Sequence, residues 1–93
     1  MNRERKKAAL IEGMVRRKQW SMNYKSIENT VSKLPKREKK TAVRLIDELV
    51  DQGWAEYHKN EKCVSLRSRK RSEIRRLLEK YGEMEEWLLD SLF

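Results

Sequence analysis

Ninety-three residues make one small domain, whose core is too small for the usual enzyme cleft yet large enough to fold alone. Charged side chains are 41% of the chain and hydrophobic ones 38%, so the fold must rest on a few well-placed apolar stripes. The net charge is +8 and uneven: residues 1–76 hold 22 basic and 10 acidic side chains, residues 77–93 hold 1 and 5. A body that basic points to a polyanionic partner, nucleic acid before any other.

Cys63 is the single cysteine and His58 the single histidine, which excludes a disulfide framework and the usual zinc site within one chain. Cys63 reads either as a half-buried strand thiol or as one half of an interchain bridge. No apolar run approaches the roughly 20 residues of a membrane span. The basic N-terminus has too short an apolar stretch for a signal peptide. The expected setting is a reducing cytoplasm, with no membrane partner.

In chain order, Leu10, Ile11, Met14 and Val15 recur at helical spacing and predict an amphipathic helix from Arg5 to about Lys18. Gly13 weakens that helix and leaves room for another to approach. Trp20 and Met22 follow in a polar connector. Asn23 is a good N-cap for a second helix over 24–34, with Ile27, Val31 and Leu34 on one face. Pro35 ends that helix and can open the next. From Lys36 to Gln52, Ala42, Leu45, Ile46 and Leu49 form a buried stripe, and Gly53 stands where a left-handed residue stops the helix. Residues 54–58 and 62–66 flank Lys59-Asn60-Glu61 as a hairpin with Trp54, Val64 and Leu66 on its apolar face. After the basic linker Arg67–Arg71, which Ser68 or Ser72 could close as a cap, Ile74, Leu77, Leu78, Tyr81, Met84, Leu88 and Leu92 trace one more stripe, with Gly82 as a break.

Two patterns carry chemistry. On the helix 36–52, Lys36, Lys40, Val43, Arg44 and Asp47 share the face opposite the buried stripe. With Arg37 and Lys39 they give a helix that buries one side and shows the other a set of groups suited to phosphates and base edges. Arg44 could take a guanine in a bidentate contact and Val43 could pack on a thymine methyl. The second basic run, with Arg67 and Arg69, reads equally as a backbone contact or as a solvated helix start. For catalysis there is no Gly-rich phosphate loop, no Ser/His/Asp or Cys/His arrangement and no carboxylate pair in an apolar run. The chain is expected not to be an enzyme and to need no cofactor.

Helix, proline-bearing turn, basic helix, glycine stop and hairpin over Asn23–Leu66 resemble the winged helix-turn-helix superfamily, in the style of small MarR-like and archaeal or viral regulators. The expected fold is therefore mainly α with a small β-hairpin: a winged body over 1–71 and a C-terminal helical segment over 72–93. The strand usually found between the first two helices of that superfamily has no clear sequence here. The resemblance implies the helix 36–52 in the major groove of double-stranded DNA, the hairpin tip (His58, Lys59, Asn60 and Lys62) on the flanking backbone, and dimerisation through terminal helices. Leu77, Tyr81, Met84, Trp87, Leu88, Leu92 and Phe93 are the expected dimer contacts. The acidic, apolar end segment fits a homodimer interface or packing back across the first helix of its own chain. No small-molecule effector is evident in the sequence. The function expected is a sequence-specific, homodimeric DNA-binding regulator. The alternatives are a protein-assembly module on the same scaffold and an RNA or non-specific nucleic-acid binder.

Overall fold

A computed structural model describes residues 3–93. The elements run α1 (Arg3–Arg16), β1 (Lys25–Ser26), α2 (Ile27–Thr30), α3 (Lys36–Asp51), β2 (Ala55–His58), β3 (Cys63–Leu66), a 3-10 turn at Ser68–Lys70, α4 (Arg71–Tyr81) and α5 (Glu86–Leu92). The chain is mainly helical, with a three-stranded antiparallel sheet in the order β1-β3-β2, an architecture compatible with a winged helix.

The apolar stripes close on one another. Leu10, Ile11, Met14 and Val15 of α1, Ala42, Leu45, Ile46 and Leu49 of α3, and Ile74 and Leu78 of α4 are all buried in one core with Val64 and Leu66 of β3. Burying such side chains is the main favourable term in a domain this size, each worth about 1.5–3 kcal/mol. The stop of α3 follows its glycine. Gly53 sits at φ 79, its N–H bonds Val50 O at 3.0 Å, and Trp54 N–H bonds Leu49 O at 2.9 Å. These two bonds satisfy carbonyls that the last turn would otherwise leave open.

Between α1 and α3 the structure differs from expectation. The second helix is only Ile27–Thr30 rather than 24–34. Lys25 and Ser26 pair with Val64 and Cys63 as β1, so the strand without a clear sequence signal is present. Ser26, not Asn23, caps the helix: its hydroxyl accepts from Asn29 N–H at 3.0 Å, while the Asn23 amide donates to Lys18 O. Residues past Val31 run in turns down to Pro35. At the start of α4, neither Ser68 nor Ser72 is the cap; Lys70 holds that position without a side-chain bond.

Gln19 is the polar centre of this corner. Its side chain is fully buried, and Nε2 donates to Thr30 Oγ1 at 3.0 Å and to Val64 O at 2.9 Å. Thr30 Oγ1 in turn donates to Ser26 O at 2.8 Å. One side chain thus ties the α1 exit, α2 and β3 together. Its Oε1 has no partner among the described residues.

The C-terminal segment continues the same core. Met84 and Leu89 are buried, the Phe93 ring meets Trp20 edge-on at 5.6 Å, and Arg75 pairs with Asp90 across α4 and α5. Gly82 sits at the close approach of this segment to α1: a Cβ there would lie 2.5 Å from a Glu12 carboxylate oxygen and 2.6 Å from Leu78 O. The same Glu12 oxygen accepts Glu83 N–H at 2.7 Å.

Candidate nucleic-acid interface

The outward face of α3 is as the helical spacing requires. Lys36, Arg37, Lys40, Val43, Arg44 and Asp47 are exposed, opposite the buried Ala42, Leu45, Ile46 and Leu49, with Lys39 half-buried on the flank. Val43 is 41% exposed, an apolar group held among cations. Lys36, Arg37, Lys40 and Arg44 form no ion pair among the described residues, so their charges are not spent within the fold. Nine residues from Lys36 to Arg44 rise about 12–14 Å, close to the roughly 12 Å width of the DNA major groove. Pro35 precedes the helix and offers no side-chain cap, which leaves first-turn N–H groups at the same end as the cations.

The hairpin meets this face through Tyr57, whose hydroxyl donates to Asp47 Oδ1 at 3.0 Å. Burial, then the bond to Asp47, pushes the phenol up to about 12. The bond ties β2 to the exposed strip of α3 two residues before the turn begins. That turn, Lys59 to Lys62, is exposed at every residue and tightly wound, with Lys59, Asn60 and Glu61 at φ 54, 57 and 67. Left-handed backbone costs a non-glycine residue roughly 1–2 kcal/mol, Asn least. The turn presents Lys59 and Lys62 on either side of a neutral and an acidic residue.

His58 stands apart from the exposed turn that its sequence position suggests. Its ring stacks on Tyr24 at 4.3 Å, and Nε2 lies 2.9 Å from Ser65 Oγ and 3.4 Å from Glu56. Arg67 is likewise engaged at the opposite end of the hairpin: Nε donates to Ala55 O at 3.3 Å, and Nη1 is 3.9 Å from Glu56. Arg69 is exposed beside it, past the end of β3, whose length of about 13 Å separates it from the turn. The structure therefore brings together Lys36, Arg37, Lys40, Val43 and Arg44 on one helix face and Lys59, Asn60 and Lys62 on the turn. Arg67 and Arg69 belong to a separate place.

Lys25 is the residue that sequence reasoning missed. It is exposed on the edge strand β1, which leads into Ile27, whose N–H bonds Lys62 O at 2.9 Å. The only signal for it would have been β1 itself. Among the expected dimer contacts, Met84 is buried in its own core, and Leu77, Tyr81, Leu88, Leu92 and Phe93 are half-buried against it. Trp87 alone of that set is exposed, at 66%.

Family models, characterised proteins and solved structures give no match to this chain. Its interpretation therefore stands on geometry and charge. Among the described residues, no group of His, Cys, Asp or Glu is placed to hold a metal ion, and no helix is long and apolar enough to cross a membrane.

Proposed function

We propose that the chain binds double-stranded DNA in a sequence-specific way and acts as a homodimeric transcription regulator, with α3 in the major groove and the 59–62 turn on the adjoining backbone. The observation that carries this reading is the division of α3 into two faces. Its buried stripe fixes the helix on the core, while Lys36, Arg37, Lys40, Val43 and Arg44 are exposed, their cations unpaired among the described residues. Free cations at the helix start suit phosphates, and Arg44 beside Val43 suits a guanine next to a thymine.

The mechanism follows from counterion release. Each phosphate neutralised contributes about −0.9 to the log–log slope of affinity against salt, and this sequence-independent term sets most of the encounter. Sequence preference then comes from the few side chains that reach base edges. Selection of bound sites from random duplexes is the direct test. The expected result is an enriched inverted repeat. Recovery of no motif contradicts sequence-specific readout, and preferential binding of single-stranded RNA contradicts the choice of duplex DNA.

A further inference from the structure

Two apolar features of the fold stay open among the described residues. One is an open apolar groove of about 220 Å³ between α1 and α3, walled by Ala9, Leu10, Leu34, Ala42 and Leu45. The other is Trp87, a large aromatic side chain left exposed on α5. We propose that they fit each other between two copies: Trp87 of each protomer seats in the α1/α3 groove of its partner, reciprocally, about a two-fold axis.

Size agrees. A cavity of roughly 150 Å³ takes benzene, so this groove is the size for two fused rings. The indole is also prepared for an apolar seat, because its Nε1–H already donates to Glu85 within its own segment. Burying the ring therefore leaves no orphan donor. Trp87 is held on a fixed element, since Met84 and Leu89 anchor that segment in the core on either side of it.

Charge agrees as well. Exposed Glu83, Glu85 and Glu86 lead into Trp87. The groove lining carries Lys6, which pairs with no described residue, and Glu38 opposite it, while exposed Arg5 and Lys33 are the sequence neighbours of the lining residues Lys6 and Leu34. Acidic segment and basic rim complement one another across the contact.

The two-fold form follows from position on α1. At 100° per residue, Glu12, which binds the α4–α5 connection, and the groove residues Lys6, Ala9 and Leu10 lie about 110° apart around the helix. The sector between them holds exposed Arg5, Ala9 and Arg16 and half-buried Gly13. A Cβ on Gly13 would meet only the Arg17 side chain, at 4.0 Å, so among the described residues no other element packs against α1 at that position. A partner α1 crossing there brings each Trp87 toward the other copy's groove. The contact is isologous, with the same two surfaces exchanged.

The proposal rests on the homodimer of the proposed function and names its contact: a monomeric wild type fails both, whereas a dimer indifferent to Trp87 fails this contact alone. Sedimentation equilibrium of the full chain, across micromolar concentrations and without DNA, tests it. The wild type is expected to be dimeric. Trp87→Ala, a surface change, is expected to weaken dimerisation roughly thirtyfold or more, as for a central aromatic anchor. Ala9→Trp plugs the groove from an exposed position and should do the same, with Thr41→Trp as the second plug should the first misfold by circular dichroism. The decisive arm mixes the two weak variants: Trp87→Ala keeps its groove and the plugged chain keeps its Trp87, so a heterodimer with one intact contact should reappear. A monomeric wild type, a Trp87→Ala chain that dimerises as well as wild type, plugged chains that still dimerise, or a mixture that stays monomeric each overturns the proposal. A ladder of higher oligomers overturns its two-fold form.

Discussion

The two basic runs of this chain look alike as sequence and differ in what they touch. In Lys36–Arg44 the exposed cations have no carboxylate partner among the described residues. In Arg67–Arg71, Arg67 reaches Ala55 O and Glu56, Lys70 lies 3.6 Å from Glu73, and the Arg71 guanidinium sits 4.9 Å over the Trp20 ring. Density of positive charge is therefore a poor guide to a binding face. The distinction lies in whether the surrounding fold supplies partners, and it emerges only once the hairpin register is known.

The largest effect should come from setting the two runs against each other. Replacing Lys36, Lys40 and Arg44 together by Ala is expected to lower DNA affinity by orders of magnitude at low salt and to flatten the salt slope of a dimer by about 3.6, at about 0.9 for each of the four phosphate contacts of Lys36 and Lys40. The matching triple change of Arg67, Arg69 and Arg71 should alter the slope little and lower thermal stability instead. Fluorescence anisotropy against salt, paired with thermal denaturation, checks both. Equal losses of slope would erase the distinction.

A finer division runs within the favoured face. Arg44→Ala should relax base preference at one position per half-site and cost about 1–3 kcal/mol there. Lys36→Ala should weaken every sequence alike. Competition between the selected site and single-base variants separates the two. Identical profiles would make Arg44 another phosphate contact.

Away from either basic run, Gln19→Ala removes two donors from Thr30 and Val64 and leaves their acceptors buried. The expected cost is about 1–3 kcal/mol of folding stability, read by urea denaturation, with no change in the salt slope of the folded protein. A variant as stable as wild type would mean that Gln19 does not hold the α1–α2–β3 corner.

The smallest effect is spectroscopic. Tyr57 should ionise near 12, whereas an ordinary tyrosine ionises near 10. Because the folded value is raised, the neutral phenol favours folding. That stability is fully present below pH 10 and is lost as pH climbs from 10 toward 12. Ultraviolet titration should show a component near pH 12 that Tyr57→Phe removes and Asp47→Asn lowers. No such component would mean that the Tyr57–Asp47 link between hairpin and α3 does not persist in solution.

How much of this was legible in the sequence follows from how each element is made. α1, α3 and the hairpin announce themselves because periodic apolar residues, Pro35 and Gly53 act locally. The two faces of α3 could be read from spacing alone. β1 could not be read, because Lys25-Ser26 has no apolar pattern and becomes a strand only when β3 lies beside it. The shortened α2 follows from the same cause, since Ser26 is drawn into the ladder and then serves as cap. His58 was placed at the tip by its sequence neighbours, yet Tyr24, brought across by β1, stacks on it. Gln19 gave no signal because a buried amide is specified by its partners, and those are distant in sequence.

The measurement that bears most directly on the central claim is the binding of wild-type protein to duplex DNA as a function of salt. A steep, linear log–log dependence is expected, with a slope of roughly −5 to −9 if a dimer meets about six to ten phosphates. Binding that is absent, or flat in salt, would contradict a DNA interface on α3.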